Sequence, residues 1–316
     1  MQTELSPSWL QAQGYIAFLN TVFPGQWDRT AYEWYVSRPF CGVHGELLVL
    51  TDHGRVVAGM TLCHRQLIAE TGAPLDVCVI SAAGTLPSER GRGHYGTLIR
   101  AARNHCRERG YAALLGFVTR QNHSGKGLIG LGACAIPSFY IVSASRSLRH
   151  HDPRSNLGGL RTVRTEEAFK ERAARATPCM PTRPPSSCAP YASFHYRDAE
   201  DWRRQFIHRP YDVRAIRIGH DGLALLEAVG STDRLQWLHC PHARTTSVVA
   251  TLAASSAAAG RKFFMYTLDP LHAAAAQRVG LEARPGYMML LRCGPQDGRW
   301  EALTRSAWHV QSGDRL

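Results

Sequence analysis

Two hydrophobic periods alternate along the chain, and one stretch carries both. Val77–Ala83 is an apolar run rich in Val and Ile, of the length of a buried strand. Ser88–Gly96 is polar and holds three glycines. Thr97–Arg109 then sets Leu98, Ile99, Ala102 and Cys106 at helical spacing with arginines between them. Gly110 stands where a helix C-cap glycine belongs, and Ala112–Val118 is a second apolar run. The pattern predicts strand, glycine turn, helix and strand. Such a unit pairs its strands in parallel through a right-handed crossover.

The flanks follow the same rules. Tyr15, Ile16, Phe18, Leu19 and Val22 predict an amphipathic helix over Gly14–Phe23, ended by Pro24-Gly25. Thr30–Val36 reads as a short helix closed by Arg38-Pro39. Glu46–Thr51 and Arg55–His64 read as strands about the turn Asp52-His53-Gly54, and Gln66–Ala69 leads to a turn at Gly72-Ala73-Pro74. Beyond the central unit, His123–Gly132 predicts a helix loosened by glycines, and Phe139–Ala144 a strand. From Arg149 to Pro190 periodicity weakens. His150-His151 and Asn156–Gly159 are loop-like, Thr165–Ala176 fits a helix, and the prolines of Pro178–Pro190 suit a linker or strap.

The last third repeats the first in outline. Trp202–Pro210 echoes Trp34–Pro39. Strands are predicted at Val213–Ile218, Leu223–Val229, Arg234–Leu238, Lys262–Leu268 and Tyr287–Arg292, with helices at Thr246–Ala259 and Leu271–Val279. The tail from Trp300 is expected to fold back through Trp300 and Trp308. The expected organisation is a first domain over 1–148, a linker or strap over 149–190 and a second domain over 191–316. Fold duplication explains the repeat; an unrelated α+β domain is the alternative.

The glycine turn is the chemical feature. A helix start offers unpaired N–H groups and the positive end of the macrodipole. Gly91, Gly93 and Gly96 clear side chains from that end, and Arg90 and Arg92 add two guanidinium forks. The residues describe a phosphate cradle. A dinucleotide site needs an acidic residue after the second strand, but Thr119, Arg120, Gln121 and Asn122 stand there. The Gly-Lys-Ser/Thr of phosphate-loop NTPases is missing from the turn as well.

The run Arg90-Gly91-Arg92-Gly93-His94-Tyr95, with Gly96 after it, resembles the acetyl-CoA-binding motif of the GCN5-related N-acetyltransferase (GNAT) superfamily, Gln/Arg-x-x-Gly-x-Gly/Ala. Pro87 before it, Asn122 at the end of the next strand and Gly132-Ala133 before the last hairpin extend the likeness over Leu10–Ser147. Tyr95 departs from the Gly/Ala of the sixth position. The resemblance implies the mixed-sheet α/β GNAT fold, with two GNAT-like halves. The second half would lack the cofactor motif, because Cys240–Thr245 has no glycine. Acetyl-CoA or another acyl-CoA would be the co-substrate. Arg90, Gly91, Arg92, Gly93, His94, Tyr95 and Gly96 would hold its pyrophosphate. Ala83, Gly84 and Thr85 would pair with the pantetheine arm, and Asn122 would bond it.

The implied reaction is attack of an amine on a thioester, which needs a base, oxyanion donors and a way to accept the thiolate. Two familiar groups of the family do not carry over. Its acidic Tyr falls on Leu128 and its basic Glu on Phe117. Candidate replacements are Tyr140, His123 and Ser124, with the tail pair His309 and Asp314; each also fits a plain role in the core or on the surface. Glu89 is expected to be solvated. Trp34 and Tyr35 fit the core better than the acceptor side, where Glu33 would lie with them.

Composition adds the remaining bounds. With 316 residues the chain has room for two domains. No apolar run approaches a membrane span, and the first residues lack a signal-peptide pattern. Nine scattered cysteines without a C-x-x-C pair suit reduced thiols in a cytoplasm. His239-Cys240-Pro241-His242 lacks zinc spacing, so no metal is expected. Net charge is +12, which favours acidic partners. The acceptor is expected to be an amine of a small molecule or peptide. Alternatives are an acyl carrier protein as donor, or a non-catalytic CoA-binding scaffold. Nucleic acid ranks last, since no basic helix or aromatic-studded sheet stands out.

Overall fold

The computed structural model describes residues 1–8, 10–23, 27–69, 73–143, 160–167, 169, 191–219, 222–240, 244–295 and 298–315. The expected turns at Pro24-Gly25 and Gly72, the loop at His150-His151, most of the helix over Thr165–Ala176 and the strap over Pro178–Pro190 lie outside them. The chain forms two compact units. Unit 1 holds Met1–Ile136 and Tyr287–Ser306, and unit 2 holds Pro137–Gly286 and Ala307–Leu316.

Unit 1 begins with β1 (Gln2–Pro7), α1 (Ala12–Val22) and α2 (Arg29–Tyr32). The Asp28 carboxylate caps α2 by accepting from the Ala31 N–H at 2.7 Å. The helix then widens into a π-helical turn at Glu33–Ser37, so the single helix predicted over Thr30–Val36 is two pieces. Trp34 and Val36 are buried, Glu33 is exposed and paired with Arg29, and the Cys63 thiol donates to the carbonyl of Tyr35 at 3.5 Å. Trp34 and Val36 thus build core, as favoured above for Trp34, and Tyr35 packs edge-on against the Trp34 ring. There follow β2 (Glu46–Asp52), β3 (Arg55–Ala69), β4 (Leu75–Thr85), α3 (His94–Glu108), β5 (Ala113–Thr119) and α4 (His123–Gly130).

The sheet of unit 1 runs β1-β2-β3-β4-β5, and its sixth strand is β13 (Leu281–Arg292). The first four strands pair antiparallel and β4 pairs β5 in parallel. Leu98, Ile99, Ala102 and Cys106 of α3 are fully buried against Met60, Leu62 and Leu114, so the predicted stripe is the one used. His105 of α3 also meets Glu46 of β2 at 2.7 Å. β1 was not foreseen. It is an edge strand of mostly polar sequence with no buried residue, held by pairing with β2 rather than by an apolar face.

Unit 2 contains β6 (Cys134–Ser143) from Pro137 onwards, β7 (Leu160–Val163), β8 (Tyr191–His195), α5 (Ala199–Phe206), β9 (Val213–Ile218), β10 (Gly222–Val229), β11 (Thr232–His239), α6 (Thr245–Ala258), β12 (Lys262–Thr267) and α7 (Pro270–Arg278). Its sheet runs β7-β9-β10-β11-β12-β6. Pairing is antiparallel except for β11 with β12, which is parallel. The strand order and the place of the β11–β12 parallel pair repeat those of unit 1, where β4 pairs β5 in parallel. α8 (Gly298–Arg305) belongs to unit 1, and β14 (Ala307–His309) pairs with β8 in unit 2.

The compact units thus divide the chain at other places than 1–148, 149–190 and 191–316. The boundary falls inside β6, part of the expected linker is a sheet strand, and the second half of the last long strand, from Tyr287, serves unit 1. Strand pairing at long sequence separation decides this, and local periodicity carries no record of it.

Unit 2 also holds an acid-sensitive group. Burial pushes the His309 imidazole down to about 4, helped by neighbouring His272 and His239 and opposed by Asp269. The folded state then binds this proton more weakly than the unfolded chain, where imidazole titrates near ~6.5. Stability from this site is complete above about pH 6.5 and is lost as pH falls toward 4. Thermal melting followed across that range should show the loss, and His309→Gln should flatten it; an unchanged slope in the variant would refute the assignment.

Candidate functional site at the head of α3

β4 keeps two different neighbours, and a bulge makes this possible. Gly59 faces Gly84 and Thr61 faces Ser81, so Ala82 and Ala83 together oppose one residue of β3. Ala82 adopts φ +44°, left-handed for a residue with a side chain. Its carbonyl accepts a 2.7 Å hydrogen bond from the buried Tyr15 phenol of α1. That ring lies so close to β3 that a Cβ on Gly59 would sit 2.6 Å from it. β4 pairs β5 only at Val77–Val79 with Ala113–Leu115; past that point the register ends, although both strands continue. Ala83, Gly84 and Thr85 thus lie on the run of β4 beyond its pairing with β5. Val22 of α1 packs over Gly84, where a Cβ would come within 2.8 Å.

The chain next makes a short 3₁₀ turn at Pro87–Glu89 and enters α3 through two left-handed glycines. Gly91 has φ +79° and Gly93, the N-cap of α3, has φ +78°. No atom lies within 4 Å of a Cβ built on either, so open space faces both. An L-residue would be strained at these angles, which explains both glycines. Gly96 falls within the first turn of α3, one turn earlier than the predicted helix start at Thr97 implied.

The cationic forks are partly engaged. Arg90 Nε donates to the Thr85 carbonyl at 3.4 Å, and Arg92 lies 3.0 Å from Glu89. The buried His94 imidazole lies 3.5 Å from the same carboxylate. Glu89 is half-buried at 20% exposure and links the turn, which corrects its expected solvated role.

A second cluster closes the other side. Asn122 caps α4, its Oδ1 accepting from Ser124 N–H at 3.0 Å and from Ser124 Oγ at 2.7 Å. Tyr95 shares a hydrogen bond with Ser124, and burial pushes its phenol up to about 12 despite that bond. Its ring packs along α4 at Gly127. The departure at the sixth motif position thereby gains a role: Tyr95 ties α3 to α4. His123 is exposed beside this cluster. Leu128 is buried and packs toward Gly116 of β5, a core position.

Arg90 links the glycine turn to Thr85, and Tyr95 links it to Ser124 and through it to Asn122. The structure does not bring Tyr140 into unit 1. That residue is buried in unit 2 with its ring centroid 5.1 Å from Tyr266 and the Arg315 guanidinium 4.8 Å above it. Burial raises its phenol and Arg315 opposes this. His309 and Asp314 also belong to unit 2. Tyr15, which holds the bulge, was read from sequence only as one residue of a helix stripe; nothing local marks its contact with Ala82, 67 residues away. Among the described residues no group of three or more His, Cys, Asp or Glu is placed to hold a metal ion, and no helix is long and apolar enough to cross a membrane.

Residues 10–123 match the family described as the acetyltransferase (GNAT) domain. No curated protein matches the chain in sequence. Solved structures share its fold. A tandem GNAT protein from the clavulanic acid biosynthesis pathway aligns with a TM-score of 0.57 at 14% identity, over 94% of this chain and 100% of that one. A GCN5-related N-acetyltransferase from Anabaena variabilis gives 0.55 at 13%, over 92% and 73%. One from Kribbella flavida gives 0.53 at 17%, over 92% and 70%.

Tyr15→Phe should leave the Ala82 carbonyl without its donor and lower stability by roughly 1–2 kcal/mol. Chemical denaturation measures this; a variant as stable as the parent would show that the bulge does not depend on the phenol.

Proposed function

We propose that this chain, whose residues 10–123 match the acetyltransferase (GNAT) domain, moves an acyl group from acyl-CoA to an amine of a small molecule or peptide by direct attack in a ternary complex. The observation that carries the reading is the pair of left-handed glycines opening α3 onto free space. Peptide N–H groups at a helix start, with Arg90 beside them, suit a diphosphate. The run Ala83–Thr85, no longer paired to β5, offers main-chain groups to an extended amide-bearing arm. N–H groups there would also stabilise an oxyanion.

An anion arriving at the turn competes with Glu89 for Arg92, exchanging one charge pair for another. Asn122 spends its oxygen on capping α4, which leaves its amide N–H groups as the donors for a ligand. His123 is the exposed imidazole beside this cap and is our candidate to take the amine proton, with Ser124 as a polar relay tied to Asn122 and Tyr95. Tyr140, buried in unit 2, is dropped. A coenzyme thiol leaves readily as the thiolate near neutral pH, so the Leu128 position slows the reaction without forbidding it.

Two other readings have specific support. The +12 charge suits an acidic acyl carrier protein as donor. Apolar Leu128 and Phe117 suit a scaffold that binds CoA without turnover. The absence of a C-x-x-C pair and the seven free thiols among the described residues fit a reducing cytoplasm.

Acetyl-CoA and longer acyl-CoAs, titrated in a thermal-shift experiment, should raise the melting temperature, with ~2.7 kcal/mol of stabilisation at a hundredfold excess over Kd. Gly93→Glu keeps room for its side chain, costs about 1–2 kcal/mol through its left-handed backbone, and should abolish that shift while the protein stays folded. A shift retained in full by the variant would remove the cradle from the reading. Turnover on an amine panel separates enzyme from scaffold, and salt-sensitive use of a carrier-bound acyl group separates the carrier donor.

A further inference from the structure

Unit 2 repeats the parallel strand pair of unit 1, and the pair parts in the same way. β11 pairs β12 at Thr232–Leu235 with Lys262–Met265, and both strands then continue to His239 and Thr267. In unit 2 the gap beyond the last pair is filled. The Leu238 N–H of β11 donates to Gln311 Oε1 at 2.5 Å. The Tyr266 N–H of β12 donates to Ser312 Oγ at 2.6 Å, and Thr267 forms an antiparallel bridge with Gln311.

The rest of this segment is fixed with equal care. The Gly313 carbonyl accepts from Gln205, and a Cβ on Gly313 would collide with the Phe206 ring and sit 2.9 Å from the Gln236 carbonyl oxygen. Asp314 accepts from the Tyr196 hydroxyl at 2.6 Å and from the Gln311 N–H at 2.7 Å. The Arg315 guanidinium lies 4.6 Å over the Tyr266 ring. Ser312 and Asp314 are more than nine-tenths buried. At the head of this cleft the chain enters α6 through Arg244, whose φ of −98° and ψ of −11° are right-handed. Gly93 at the head of α3 is left-handed.

We propose that the segment 311–315 is the resident peptide ligand of the β11–β12 cleft, and that the chain consequently takes up one acyl-CoA rather than two. Main-chain N–H groups that would receive an extended arm are satisfied by Gln311 and Ser312, and the turn that would hold a diphosphate has no glycine. The stoichiometry rests on the acyl-CoA reading above; the seating of the segment does not.

The test uses the full chain. Residue-resolved amide exchange should show Leu238 and Tyr266 protected like sheet interior. Ser312→Ala should speed exchange at Tyr266 by tenfold or more, and Gly313→Val should expose both amides. If Gly313→Val fails to fold, Ser312→Ala carries the measurement. Calorimetric titration with acetyl-CoA should give one site per chain, and none in Gly93→Glu. Two sites per chain, one site retained in Gly93→Glu, or parent amides at Leu238 and Tyr266 exchanging like exposed loops would overturn the proposal. Should the parent bind no acyl-CoA, the loss falls on the acyltransfer reading, and the two amides still decide the segment.

Discussion

β4 pairs with β3 along most of its length but with β5 over only three residues, and the bend at Ala82 lets it do both. A left-handed alanine costs on the order of 1–2 kcal/mol. It persists here because the Tyr15 phenol takes the Ala82 carbonyl and packs into the space left by Gly59. The helix α1 is thereby more than a cover for the sheet. It sets the direction of Ala83–Thr85, and so the direction in which the glycine turn delivers the start of α3. Backbone strain, a buried hydroxyl and two residues with little or no side chain form one device.

Charge at the turn is balanced rather than simply positive. Glu89 holds Arg92 and His94 within 3.5 Å of its carboxylate, which keeps the buried imidazole beside a partner. The anion-binding capacity therefore rests on oriented N–H groups, Arg90 and whatever Arg92 gives up from Glu89. On the far side the cap at Asn122, the Ser124 hydroxyl and the Tyr95 phenol form a connected polar chain. It joins α3 to α4 through the one motif residue that departs from the family pattern.

The two units share a strand order, yet neither is made from a continuous half of the chain. Unit 1 draws its sixth strand from β13, and unit 2 draws one from β6. Met289 and Leu291 of β13 are buried in the same cluster as Met60 and Leu114. A chain cut after residue 148 would thus leave an apolar edge of unit 1 without its strand. The same exchange places the segment 311–315 in unit 2, where its polar atoms meet N–H groups of β11 and β12.

Local pattern settled the elements whose two faces differ. The stripe of α3, the apolar runs of β4 and β5, and the glycines at 91 and 93 were legible because each needs a residue type at fixed spacing. The same holds for the strand-turn-helix-strand order and for the family it resembles. What sequence by itself could not fix were contacts whose partners lie far apart along the chain. Tyr15 with Ala82, Glu89 with Arg92 and His94, the burial of Tyr140 in unit 2 and the exchange of β6 and β13 all belong to this class. The edge strand β1 escaped for a related reason, since its hydrogen bonds to β2 hold it and leave little mark on which side chains it carries. Periodicity records which face of an element is buried, and only the folded chain decides what buries it.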